Sequence, residues 1–199
     1  MRMVKVRTTG RIAVLATFAV LATSAIGTAA ASATTKTLQW LVTYPLISNE
    51  VPLTTVVHGD YPATAARGST VTVPLSDDVN AGVEITEGLL LLSAPDAAGT
   101  ISGGRTVTYR DGTSQDVPFQ LTIPKTPTPP SGTPFTFTAT GALTFTVPSG
   151  APTGQATVRV RPAAGAHIVT KSDLGEFDTP ARLDPVAVQD VVVGTITIT

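Results

Sequence analysis

Leu38-Gln39-Trp40-Leu41-Val42-Thr43-Tyr44-Pro45-Leu46-Ile47 is the stretch from which the fold class follows, and it holds the only Trp of the 199-residue chain. Bulky aliphatic and aromatic residues at this density are typical of a strand that packs one face into a core. We therefore predict that the stretch forms the first strand of the folded domain. It is a packing signal without recognisable chemistry, so it indicates a fold class and no activity.

A secretory signal peptide is predicted upstream of this strand, over residues 1–33. Four basic residues lie within the first 11 positions, and residues 12–26 then carry no charge and many Ala, Val and Leu side chains. Small residues satisfy the cleavage rule at two positions, so the mature chain begins near Ser32 or Thr34. We expect a secreted protein, at most loosely associated with the cell envelope, with an uncleaved membrane anchor as the alternative.

The composition of the mature domain, residues 34–199, excludes several classes of partner. Four of the 13 Lys and Arg residues lie in the leader whereas all 14 Asp and Glu residues follow it, which leaves a net charge of −5. Nucleic acid and anionic membranes require clustered cations, so neither is expected as a partner. The chain has no cysteine, hence no disulfide and no thiolate metal site. A single domain of this size buries roughly two-thirds of its unfolded surface.

Alternation of apolar and polar residues with period two recurs along the mature chain, while helical periodicity is nearly absent. Asp111-Gly112 separates two alternating segments and predicts a tight hairpin turn. The Pro- and Thr-rich residues 124–134 are expected to cross between two sheets in an extended form. We therefore predict an all-β, antiparallel two-sheet sandwich with immunoglobulin-like architecture in one domain. Beyond the first strand, its candidate strands are 51–58, 69–75, 105–110, 117–123, 135–140, 142–147, 156–161, 166–170 and 188–199.

A short helix is predicted at Ser76-Asp77-Asp78-Val79. Ser accepts hydrogen bonds from free amides at a helix start, and the two Asp side chains favour the positive end of the helix dipole. The continuous apolar run of residues 89–92 is of strand length and predicts a buried strand after this turn of helix.

The order of four segments resembles a family of exported actinobacterial proteins built on a domain of unknown function. These segments are the stretch around Trp40, Pro62 to Gly68, the crossing that leads into residues 135–141, and Leu183-Asp184-Pro185. Members of that family open with an aromatic-x-Cys-x-aromatic-Pro-Leu motif and carry a second Cys shortly before the late Asp-Pro. This chain has neither Cys.

The two positions where the family carries Cys correspond here to Val42 and to Ala181 or its neighbour Arg182. A family bridge between them would close a loop of well over a hundred residues and contribute about 4 to 5 kcal/mol by chain entropy. Loss of both Cys residues together leaves an apolar contact. We therefore hypothesise that Val42 and Ala181 lie close together in the fold.

Candidate catalytic and metal-ligating residues are few. His58-Gly59-Asp60 is the best acid–base cluster, although a turn is the simpler interpretation, and His167 is the other imidazole. Four acidic residues are an alternative calcium site, although a helix cap and a solvated strand face explain them more simply: Asp77, Asp78, Glu84 and Glu87. No catalytic, cofactor-binding or metal residue is therefore assigned, and no cofactor is predicted.

Threonine recurs at every second position of several predicted strands, at 136, 138 and 140, at 144 and 146, and at 195, 197 and 199. Such rows of hydroxyls are able to bind sugar or ice, but they are also the ordinary exposed side of a sheet. The sequence thus favours a non-catalytic secreted or envelope-associated module, binding or structural, whose partner is cell-wall polymer or another protein. The alternative is a small exported hydrolase that uses His58 with a nearby carboxylate.

Overall fold

The computed structural model describes residues 32–45 and 50–199 and confirms the all-β class, with one short helix. The predicted signal peptide falls almost entirely outside these residues. The elements are β1 (Ser32–Val42), β2 (Val51–Tyr61), β3 (Thr64–Ala65), β4 (Thr70–Asn80), α1 (Val83–Leu91), β5 (Asp96–Thr108), β6 (Ser114–Pro127), β7 (Thr136–Thr146), β8 (Gly154–Val160), β9 (Ala163–Thr170), β10 (Glu176–Leu183) and β11 (Val192–Ile198).

Eight strands close a barrel, in the order β1-β2-β4-β7-β6-β5-β9-β10 and back to β1, with every neighbouring pair antiparallel. The predicted two-sheet sandwich is therefore wrong. A strand that faces a second sheet and a strand that faces a barrel lumen show the same alternation, so the local pattern does not separate the two architectures. The long-range pairing of β1 with β10 decides between them.

Strand β5 pairs with β6 along one edge and with two different strands along the other edge. Residues 97–102 pair with β9 in the barrel, whereas residues 105–108 pair with β8. Gly103 and Gly104 lie between these two stretches. A side chain at Gly103 would meet the ring of Phe119, its directly opposite residue on β6, at 2.7 Å, so glycine leaves space for that ring to lie across β5. Beyond it, β8 pairs with β11, and β11 with β3.

Large side chains fill the end of the fold where β8 and β11 lie. Tyr61 packs against Gly194, where a Cβ atom would lie 2.5 Å from the ring. Close packing of this kind leaves no space for water or a ligand. The largest fully buried side chains in this core are Leu38, Tyr61, Val73, Val107, Leu121, Leu143, Val147, Val158, Ile196 and Ile198.

The helix and strand predicted around residues 76–92 are interchanged in the structure. Ser76 to Val79 lie inside β4, and α1 occupies residues 83–91. Gly82, at φ 85°, ends the strand conformation, and its N–H donates to Asn80 Oδ1 over 3.0 Å. The buried residues of α1 are Ile85, Thr86 and Leu89, which share one helical face, so a four-residue alternation and an apolar run were too short to distinguish helix from strand.

The Pro/Thr-rich crossing at 124–134 does not run between two sheets. Residues 124–127 continue β6, where Pro127 is opposite Asp96 of β5, and the rest leads into β7. Because β6 and β7 pair at residues 120–122, the segment joins neighbouring strands of one barrel. The predicted hairpin at Asp111-Gly112 is confirmed, with Gly112 at φ 84°.

Candidate functional site

The lumen of the barrel holds a cavity of about 220 Å³. An eight-stranded barrel has room either for packed side chains or for one small ligand, and the choice depends on the size of the inward-facing residues. Around this cavity several inward positions of three neighbouring strands, β5, β9 and β10, carry small residues, and Ile101, Ile168 and Phe177 of the same strands also line it. The small residues are Ala97, Gly103, Ala164, Ala166 and Ala181. These small residues leave part of the barrel lumen unfilled.

Larger apolar side chains line the opposite side of the cavity. They come mainly from β1, β2, β4 and the start of β7, and Phe135 and Phe137 pack there with ring centres 5.6 Å apart. Aromatic and branched walls of this kind suit an apolar ligand. The principal members are Trp40, Val42, Leu53, Val57, Val79, Phe119, Ile123, Phe135 and Phe137.

Helix α1 and the Pro/Thr segment cover one end of the barrel. Thr86 donates from Oγ1 to the carbonyl oxygen of Thr133 over 2.6 Å, and Glu87 accepts hydrogen bonds from Ser131 Oγ and the Gly132 N–H, each at 2.8 Å. These two hydrogen bonds hold the pKa of Glu87 below its usual value. The helix presents Ile85 and Leu89 to the cavity, so it forms part of the wall.

Asp77 of β4 and Arg105 of β5 also line this cavity, and only 7% and 3% of their surfaces are exposed. The Arg105 guanidinium carbon lies 4.6 Å from the centre of the Phe119 ring, and Nη1 donates to the Gly104 carbonyl over 3.3 Å. Asp77 Oδ1 and Arg105 Nε have no hydrogen-bond partner within residues 32–45 and 50–199. A buried carboxylate and guanidinium thus border an otherwise apolar space.

The electrostatics of this pair are set by burial. Burial raises the pKa of Asp77 to about 6, while the nearby positive charge of Arg105 acts in the opposite direction. Once the carboxylate is ionised, the positive charge of Arg105 compensates its negative charge. Two other polar groups in the wall are already paired, since Trp40 Nε1–H donates to Thr55 Oγ1 over 3.0 Å and Thr179 Oγ1 donates to the Ala166 carbonyl over 3.3 Å.

His58, the residue of the predicted acid–base cluster, lies outside the lumen on the outer face of β2. Its Nε2 is 2.9 Å from Asp78 Oδ2 and its Nδ1 is 3.2 Å from Thr35 Oγ1, while Thr138 donates to Asp78 Oδ1 over 2.6 Å. Asp60, the other polar member of that cluster, is exposed further along β2. The contacts of His58 follow from strand register, because Thr35 is directly opposite it and Asp78 lies on the neighbouring strand.

The structure does not bring the predicted calcium ligands together. Asp77 and Asp78 are successive residues of β4 and point to opposite faces of the barrel wall, while Glu84 and Glu87 belong to α1. Among the described residues there is no group of three or more His, Asp and Glu side chains arranged to hold a metal ion. His167 lies on the outer surface of β9, where its Nδ1 is 2.9 Å from Asp178 Oδ1, and this contact raises the pKa of His167.

The threonine rows of β7 lie on the outer face of the barrel. Thr144 and Thr146 are exposed there and oppose Thr72 and Thr70 of β4, with hydroxyl oxygens 3.2 Å and 3.3 Å apart. They form a polar exterior, as cross-strand hydroxyl pairs ordinarily do.

Arg105 and Asp77 were not identified as a site from the sequence. One signal was present in the sequence, because Arg105 alternates in phase with the apolar residues Val107 and Tyr109 of the predicted strand 105–110. A cationic residue at an inward-facing position of an otherwise apolar strand indicates a buried charge, and a buried charge requires a partner.

Comparison of the chain with protein-family models, curated proteins and solved structures finds no match. Within the described residues, α1 is too short and no other helix is present that could cross a membrane. The function proposed below therefore rests on the geometry of the barrel.

Proposed function

We propose that this protein is a non-catalytic, exported binding module that holds a small apolar molecule inside its barrel. The observation that carries the proposal is the cavity of about 220 Å³, lined chiefly by aliphatic and aromatic side chains. An apolar cavity of roughly 150 Å³ in another protein is already large enough to hold benzene. A ligand somewhat larger than one aromatic ring therefore fits.

The difference in side-chain packing between the two ends of the fold supports a binding role for the cavity. One end is closely packed around Tyr61 and Leu143, both nearly inaccessible to solvent. At the other end alanine and glycine occupy inward positions where Leu or Ile would fill the space. Empty volume lowers stability by about 1 kcal/mol for each missing methyl-sized group, so filling it would be the more stable choice in the absence of a ligand.

Export is supported by the leader pattern in residues 1–33. Cleavage before Ser32, one of the two predicted starts of the mature chain, would keep every described pair of β1 with β2. A secreted carrier or a sensor of apolar compounds at the envelope is consistent with these features. Cell-wall polymer and other proteins remain partners for the outer surface in this proposal.

An NMR titration of the mature protein with para-ethyltoluene tests the binding function. We expect saturable shifts of methyl signals from cavity residues, with Val42 and Ile101 among them. Ala166→Phe places a ring in the cavity from β9 and is expected to weaken binding at least tenfold while the protein stays folded. Val169→Phe, on the outer face of the same strand, is the matched control and is expected to bind normally.

Two results would contradict the binding function. One is the absence of saturable binding in the wild-type protein. The other is equal weakening by Ala166→Phe and Val169→Phe, because the effect would then not depend on the lumen.

The second candidate function is the exported hydrolase, and the contacts of His58 with Thr35 and Asp78 favour it. These three side chains have the order of a nucleophile, a base and an orienting carboxylate. Hydrolysis of a panel of esters that is lost in both Thr35→Val and His58→Ala would support this function. Activity that persists in both variants, or no activity in the wild type, would count against it.

A further inference from the structure

The cavity has one feature that an apolar ligand alone does not explain, namely the buried pair of Asp77 and Arg105. Both side chains are more than nine-tenths buried and both line the cavity. Within the described part of the chain, Asp77 Oδ1 lacks a donor and Arg105 Nε lacks an acceptor. An unpartnered buried polar group costs about 1 to 3 kcal/mol, so this pair is expensive to maintain in an empty barrel.

The chemistry of these two groups defines what would satisfy them. Asp77 Oδ1 needs a hydrogen-bond donor and Arg105 Nε needs an acceptor. The buried Tyr61 hydroxyl lies beside the Arg105 guanidinium, and burial raises the pKa of Tyr61 while the guanidinium acts to lower it, but Nε stays without a partner among the described residues. Their opposite charges already compensate each other, so a ligand ion would leave a net charge buried among apolar side chains, which is costly. Glu84 and Arg161 also line the cavity but are solvent-exposed, and Arg161 lies 3.6 Å from Asp116.

We propose that the ligand carries one uncharged group that both donates and accepts a hydrogen bond, most simply a hydroxyl, placed between Asp77 and Arg105. This inference rests on the proposed function, because the apolar body of the same molecule occupies the cavity. The hydroxyl hydrogen is donated to the Asp77 carboxylate, and the hydroxyl oxygen accepts from the Arg105 guanidinium. The ligand class is therefore an apolar alcohol, with an aromatic or aliphatic body.

A series of four matched probes tests this assignment with the wild-type protein at neutral pH. The probes are para-ethyltoluene, para-ethylbenzyl alcohol, para-ethylbenzoate and para-ethylbenzylamine, which share one body and differ in one group. We expect the alcohol to bind about tenfold more tightly than para-ethyltoluene, as one or two net hydrogen bonds imply. The benzoate and the benzylamine are expected to bind more weakly than the alcohol.

The double variant Asp77→Leu with Arg105→Met tests whether this pair causes the preference. Replacing both partners by apolar residues avoids leaving one charge alone in the interior. We expect the variant to bind para-ethyltoluene and to lose the tenfold preference for the alcohol. A preference that persists in the variant would overturn the assignment, and the wild-type series alone decides it if the variant does not fold.

The outcomes separate the two proposals. Binding of para-ethyltoluene without any advantage for the alcohol would overturn the hydroxyl assignment and leave the apolar binding function intact. Tightest binding by the benzoate or the benzylamine would likewise overturn it in favour of a charged ligand. No binding of any of the four probes would contradict the binding function itself and this inference with it.

Discussion

Val42 of β1 is directly opposite Ala181 of β10, in the pairing that closes the barrel. The two residues form a non-hydrogen-bonded pair, because the flanking Thr43 N–H donates to Pro180 and the side chains of such pairs lie closest together. The hypothesis that these positions meet in the fold is confirmed. The family resemblance from which it came stays a prediction.

This closing pair is suited to a disulfide. We expect the double variant Val42→Cys with Ala181→Cys to form an intramolecular bridge on oxidation. By chain entropy the bridge raises the free energy of unfolding by about 4 to 5 kcal/mol relative to the reduced protein. Intact mass after alkylation detects the bridge, and the two single variants are the controls. Free thiols in the oxidised double variant would contradict the register.

The buried Asp77 is expected to make stability depend on pH. The folded protein holds the Asp77 proton more tightly than the unfolded chain, because the pKa is raised from 3.8 to about 6. The carboxyl therefore stabilises the fold at low pH, and about 3 kcal/mol of this contribution is lost as the pH rises through about 6. Asp77→Asn should remove this loss, as measured by denaturant unfolding between pH 4 and pH 7.

Asp78→Asn is the matched control for that experiment. Asp78 is the next residue along β4 but lies outside the barrel, where hydrogen bonds from Thr138 and His58 lower its pKa. Its own contribution therefore has the opposite sign and is lost as the pH falls. We expect the Asp78→Asn variant to retain the loss of stability toward neutral pH. The same pH profile in both variants would show that the effect does not come from the interior carboxyl.

Gly194 is expected to tolerate no side chain. A methyl group there would meet the Tyr61 ring at 2.5 Å, and Tyr61 is 1% exposed, so the ring has no space to move into. Gly194→Ala should lower the free energy of unfolding by about 1 to 3 kcal/mol. Gly150→Ala is the control, because no atom lies within 4 Å of the position of its Cβ. Equal stability of the two variants would contradict the packing described at this end.

The hydrogen bond from Thr86 to Thr133 fixes α1 to the Pro/Thr segment. Thr86→Val keeps the shape of the side chain and removes the donor, so we expect a loss of about 1 kcal/mol in stability. Amide exchange of residues 128–135 should become faster. Thr140→Val, at an exposed position of β7, should change neither quantity. Unaltered exchange in Thr86→Val would show that this bond does not hold the segment.

Structural features that depend on the local residue pattern were predicted from the sequence, whereas features that depend on pairing between distant strands were missed. The strands around Val57, Val73 and Leu121 were predicted from alternation, and the turn at Gly112 from its dipeptide. The contact between Val42 and Ala181 was expected, but barrel closure was missed because a single contact between distant segments fits a sandwich as well as a barrel. The cavity was missed because Ala164 and Ala166 resemble ordinary strand residues until their neighbours around the ring are known.

The site was missed for a related physical reason. Asp77 and Asp78 were treated as two equivalent acidic residues at a helix start, whereas a strand at this point sends them to opposite sides of the wall. Once β4 is known to continue to Asn80, alternation alone places Asp77 inside with Val79. The error in the secondary structure thus hid Asp77, which among residues 32–45 and 50–199 is the only carboxylate that lines the cavity from a strand.

The pairing of β1 with β10 also constrains the order of events when the protein is made. β1 is the first strand after the predicted leader, and its second partner ends at Leu183, so the ring cannot be completed until nearly all of the chain is accessible. Contacts between such distant segments form slowly. A chain that closes late stays unfolded for longer during synthesis, which is the condition that passage through a membrane as an extended polypeptide requires.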